Sequence, residues 1–141
     1  MKRNAFTMIE LIFVIVILGI LAVVAIPKLN STRDDANVAR AVTDLDTFIK
    51  DLGSYYTSQG DFNSNLSAMT DVKFDTNTGG TYKYLDSKEN PCFQIDLDDN
   101  GTLTVSDLIN TDSEVCKGLT TRLTSQGKFK SYSFGGISVK L

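Results

Sequence analysis

Histidine is absent from this 141-residue chain. That excludes Ser-His-Asp triads and imidazole-ligated metal sites. No glycine-rich phosphate loop and no G-x-S-x-G nucleophile elbow occurs, and nothing in the sequence points to an enzyme. Basic residues are not in excess: 14 Lys and Arg face 17 Asp and Glu, a net charge of −3. Such a balance does not mark a direct nucleic-acid binder. Only two cysteines, Cys92 and Cys116, and two prolines are present.

What the chain does have is a long apolar run. Residues 6–26 read FTMIELIFVIVILGILAVVAI, in which Glu10 is the only charged side chain and Thr7 the only other polar one. As a helix this run is about 32 Å long, enough to cross a hydrocarbon core of roughly 30 Å. Lys2 and Arg3 precede it, which orients the N-terminus toward the cytoplasm and the remainder beyond the inner membrane face. Glu10 does not suit a plain anchor, because an ionisable group in an apolar helix is costly and usually marks a function. A secretory signal peptide has its small cleavage-site residue after the apolar region. Here Ala5 comes before it.

The junction Lys2-Arg3-Asn4-Ala5, then Phe6-Thr7-Met8-Ile9-Glu10-Leu11-Ile12, closely resembles the N-terminus of type IV prepilins and type II secretion pseudopilins. The family pattern is a short basic leader, a small residue, Phe-Thr, two hydrophobic residues, Glu and an apolar helix. Pro27 matches the family's helix-kinking proline. The family usually has Gly before the cut, where this chain has Ala5. The resemblance covers about the first 30 residues. It implies cleavage between Ala5 and Phe6 by a membrane prepilin peptidase and N-methylation of the Phe6 amine. It implies that Glu10 pairs with the N-terminal amine of a neighbouring subunit during assembly. An uncleaved anchor, with Glu10 snorkelling to the surface, is the plainer alternative.

The expected organisation is a leader at 1–5, a transmembrane or filament-core helix at 6–27 and one soluble domain at 28–141. Loss of Lys2 and Arg3 with the leader takes the side-chain charge from −3 to −5. Pro27 lacks a backbone N–H and predicts a kink or brief break, with Gly19 a second weak point. Beyond it Val38, Ala41, Val42, Leu45, Phe48, Ile49, Leu52 and Tyr56 recur at spacings of three and four, an apolar stripe on an amphipathic helix. One helix is predicted over 7–57, its soluble half being 28–57. Residues 58–81 are rich in Gly, Asn, Ser, Thr and Asp and read as a connecting loop, with a short helix near 65–70.

Strand signals fill 82–141. Residues 82–85, 93–97 and 103–105 are candidates, the second alternating at period two. Asn100-Gly101 between the last two predicts a hairpin with a two-residue type I′ turn. Asp112 or Ser113 is placed to cap a short helix carrying Val115, Cys116, Leu119 and Leu123, and 129–141 reads as two strands around Gly135-Gly136. The fold class is α+β: a long N-terminal helix on an antiparallel sheet of about four strands. This agrees with the pilin fold that the resemblance implies.

In an oxidising compartment Cys92 and Cys116 read as one disulfide. A reactive thiol pair would have a C-x-x-C spacing and an electropositive surround, whereas Glu89, Asp96 and Glu114 flank this one. Asp96, Asp98, Asn100 and Asp107 fit part of an EF-hand calcium loop. The twelfth position is Asp rather than the usual Glu, and the strand-like flanks favour a hairpin without a specific ion. No other cofactor is indicated.

Function then divides into three expectations. The chain polymerises into a surface pilus for adhesion, motility or DNA uptake, or into a periplasmic secretion or competence pseudopilus, or it is a membrane-anchored periplasmic binding module that never polymerises. The resemblance implies copies of itself, related minor subunits, prepilin peptidase, an inner-membrane platform protein and a cytoplasmic assembly ATPase as partners.

Overall fold

The computed structural model describes residues 5–76, 79–108 and 112–135. The chain divides into two units, Met1–Asp34 and Asp35–Leu141. Helix α1, Met8–Gln59, begins in the first and ends in the second. Its bounds are within two residues of the expected ones. Gly19 and Pro27 both lie inside it, and Pro27 does not interrupt it. The proline removes one backbone donor, and helical bonding resumes on both sides. Gly60 ends the helix: at φ 81° its amide donates to the Tyr56 carbonyl at 2.8 Å, a left-handed C-terminal stop that costs glycine little.

Within the second unit, five strands follow in antiparallel order β1-β2-β3-β4-β5. They are β1 Asp75–Thr76, β2 Thr81–Leu85, β3 Pro91–Asp98, β4 Thr102–Asp107 and β5 Ser131–Ser133. Helix α2, Glu114–Ser125, lies between β4 and β5 in the chain. The expected helix near 65–70 is a short 3₁₀ turn, Leu66–Ala68, capped by the Asn65 side chain. Strand β1 falls in the stretch read as loop. Two residues carry no alternation, and its partners Lys83 and Tyr82 define it. The last of the expected strands, 137–141, lies outside the described residues.

The apolar stripe of α1 works as its spacing predicts. Val38, Ala41, Leu45, Phe48 and Leu52 are buried against Phe93, Ile95, Leu103 and Val105 of the sheet and Val115, Leu119 and Leu123 of α2. Phe48 meets the Phe74 ring edge-on at 4.6 Å between centroids, and Tyr84 stacks on Phe93 at 5.1 Å. Each large side chain buried here contributes roughly 1.5–3 kcal/mol.

The β3–β4 turn differs from expectation. Asp98 pairs with Thr102, which leaves the three-residue loop Asp99-Asn100-Gly101 rather than a two-residue one. Gly101 has φ 75°, and Asn100 is not among the positive-φ residues. The Gly101 amide donates to the Asp98 carbonyl at 3.0 Å. A type I turn followed by a left-handed glycine needs one positive φ where type I′ needs two. A side chain at Gly101 would also sit 2.3 Å from Cζ of Tyr56. Gly101→Ala should therefore lower the denaturant midpoint by the equivalent of about 2–3 kcal/mol, whereas Asn100→Ala should shift it by well under about 1 kcal/mol. Chemical denaturation of both variants checks this.

Candidate functional site

Ala5, Phe6 and Thr7 precede α1 in non-helical conformation and are exposed. The Ala5–Phe6 bond is thus outside the helix and open to a second protein. What stops the helix is a reciprocal pair of hydrogen bonds. The Glu10 amide donates to Oγ1 of Thr7 at 3.3 Å. The Thr7 amide and the Thr7 hydroxyl both donate to Oε2 of Glu10, at 2.8 and 2.6 Å. This is a capping box, which satisfies amides that the first turn leaves without partners. Thr7-Met8-Ile9-Glu10 carries the T-x-x-E signal of this cap in the sequence itself. Glu10 is therefore the head of its own helix. Its Oε1 accepts no hydrogen bond among the described residues, so one oxygen holds the cap and the other is open.

Around this carboxylate the surface is apolar. Every exposed large hydrophobic side chain among the described residues lies within 6–29, from Phe6 at 85% exposure to Leu29 at 67%. Monomeric soluble proteins rarely carry a contiguous apolar surface of this extent. The helix is long and apolar enough to cross a membrane. The second unit has no exposed large hydrophobic among its described residues.

Cys92 and Cys116 are joined, with Cα atoms 4.8 Å apart, and both are buried. The bridge ties β3 to the first turn of α2. Ser113 caps α2, accepting from the Cys116 amide at 3.3 Å while its hydroxyl donates to Oδ2 of Asp86 at 2.6 Å. Oδ1 of Asp86 takes the Lys88 and Asn90 amides, each at 2.8 Å. One carboxylate thus joins the β2–β3 turn to the helix cap beside the disulfide. Asp86 was not singled out from sequence. The Asp-Ser-Lys turn composition was its available signal.

Partial burial pushes the Asp86 carboxyl up. The hydrogen bonds from Ser113, Asn90 and Lys88 outweigh it and hold the group down at about 2. A lowered folded-state value stabilises above the ordinary carboxylate range, and that contribution is lost as pH falls from about 4 toward 2. Asp86→Ala should cost about 1–2 kcal/mol at neutral pH. The gap to wild type should close below about pH 3, read as denaturant midpoints across a pH series.

The acidic run does not converge. Asp96 accepts from Thr81 Oγ1 at 2.7 Å and Gln94 Nε2 at 2.9 Å. Asp98 accepts from Asn100 Nδ2 at 3.1 Å. Asp107, paired with Phe93 across the ladder, takes the Thr120 hydroxyl at 3.0 Å. An EF-hand loop must curl around its ion. Here the twelve positions form an extended hairpin that carries Asp107 away from Asp96 and Asp98. Among the described residues no group of three or more His, Cys, Asp or Glu is placed to hold a metal.

Residues 1–26 match the family model of the prokaryotic N-terminal methylation motif. No curated protein and no solved structure matches the chain.

Proposed function

We propose that this chain, whose methylation motif is the signature of type IV pilins and pseudopilins, is a structural subunit that polymerises through residues 6–29 into a type IV filament. The observation that carries the reading is the confinement of all exposed large apolar side chains among the described residues to that one helical segment, headed by a single carboxylate. In a bilayer, lipid covers those side chains. In a filament, the same side chains of neighbouring copies replace lipid. A carboxylate moved into such a core is costly alone and far less so when paired, so Glu10 with the Phe6 amine of a second copy sets the axial register.

Maturation follows from the same end of the chain. A prepilin peptidase cuts between Ala5 and Phe6, and Phe6 is N-methylated. Lys2 and Arg3 hold the leader on the cytoplasmic side of the inner membrane, with the second unit periplasmic until the subunit enters a periplasmic pseudopilus or a surface pilus. A platform protein and an assembly ATPase extract the subunit, and related minor subunits join it.

Intact mass of the protein from its native membrane tests the reading. A mass that starts at Phe6 and carries one additional methyl group is expected. A mass that retains Met1 to Ala5 would leave an uncleaved anchor, in keeping with a binding module that does not polymerise.

A further inference from the structure

In the second unit a cleft of about 670 Å³ opens between the 3₁₀ turn, the segment 70–74 and β2. That size falls within the roughly 300–1,000 Å³ of small-molecule sites. Its lining residues include two aromatics, Phe74 and Tyr82, and three with hydroxyl or amide side chains, Ser64, Asn65 and Ser67. Its charged residues, Asp71 and Lys73, offset one another.

Tyr82 is the telling residue. It lies on the core-facing side of β2, 6% exposed, with its ring 6.1 Å from that of Phe48. Phenylalanine would pack there equally well. The tyrosine hydroxyl has no hydrogen-bond partner among the described residues, and no fully buried side-chain oxygen or nitrogen there lacks one. The hydroxyl is therefore not fully enclosed, and Tyr82 is one of the residues that line the cleft. A hydroxyl held in a nearly buried ring without a protein partner is poised to bond a ligand.

We propose that this cleft binds a neutral sugar unit. The chemistry is the argument: the half-buried Phe74 for the C–H face of a pyranose, hydroxyl and amide groups, that of Tyr82 among them, for its hydroxyls, and no net charge to favour an ionic ligand. Neither polymerisation nor the N-terminal motif enters the argument, so the site stands or falls separately from the filament reading.

Saturation-transfer NMR on the full chain in detergent micelles tests it, with glucose, galactose, mannose and N-acetylglucosamine as neutral probes and glucuronate as the charged one. At least one neutral sugar should receive saturation at concentrations up to about 10 mM. Tyr82→Phe keeps ring and core, and should weaken that binding about tenfold. Ser67→Ala, an exposed change, should weaken it severalfold. Tyr84→Phe, on the same strand but outside the cleft, should leave it unchanged. No transfer to any neutral sugar, transfer indifferent to Tyr82→Phe, or a preference for glucuronate would each overturn the proposal.

Discussion

Glu10→Leu is expected to reduce polymer to below about one hundredth of the wild-type amount, with processing and the melting of the second unit unchanged. The substitution does two things. It removes the acceptor of the capping box, worth about 1 kcal/mol of helix stability. On the proposed reading it also removes the group that pairs with a second copy's amine, and leaves that amine without a partner in an apolar core. Breaking a buried pair from one side costs about 3–5 kcal/mol, roughly two to three and a half powers of ten in an association constant. Leucine suits lipid better than glutamate does, so the membrane pool should hold or rise as filaments vanish. Glu10→Gln separates the two effects. Glutamine still closes the box with Thr7, yet carries no charge. Filaments restored by glutamine would mean that the helix cap, not the pairing, is what assembly needs. The measurement is sheared-fibre yield against membrane-retained protein, with intact mass as the control for cleavage.

Removing the Cys92–Cys116 bridge should have the second large effect, and a different one. The bond spans 24 residues of sequence separation. Opening it releases about 3.4 kcal/mol of loop-closure entropy to the unfolded chain. Cys92→Ala with Cys116→Ala also leaves small voids in a core where both residues are fully enclosed. For a unit of this size a loss near 3 kcal/mol corresponds to a fall in Tm of roughly 12–20 °C. Differential scanning calorimetry with and without reductant reads it directly, and a Tm unchanged in the double variant would sink the estimate. The buried sulfurs should resist reductant in the native state and yield only as the unit opens. Oxidative folding before assembly is therefore the expected order of events.

The long helix, its apolar stripe and the three central strands were legible from periodicity alone, because burial of one face selects period 3.6 or period 2. The disulfide was legible from cysteine count and compartment. Other features depend on partners distant in sequence, which no local pattern records. Strand β1 exists because Lys83 and Tyr82 pair with it. The Asp86 clamp needs Ser113, 27 residues away. The β3–β4 turn was read as type I′ from its Asn-Gly pair, but ladder register, not composition, decided its length. Among the N-terminal residues, attention to Glu10 as an isolated charge hid the simpler local fact that Thr7 three residues earlier completes a helix cap. Asp96, Asp98, Asn100 and Asp107 matched a calcium-loop spacing, yet that spacing has meaning only on a curled backbone, and this one is extended.

One further consequence lies in how unevenly the chain distributes its greasy surface. With every exposed large apolar side chain among the described residues inside 6–29, dilution into buffer is not a state this molecule can occupy for long. On the proposed filament reading, it moves between a fluid two-dimensional solvent and a solid one-dimensional lattice. Its association is then governed by how crowded it is per unit area of membrane, not per unit volume of the compartment. A cell would tune fibre growth by the density of subunits in the bilayer, and a fibre that retracts would return them to the same sheet as a reservoir for the next one.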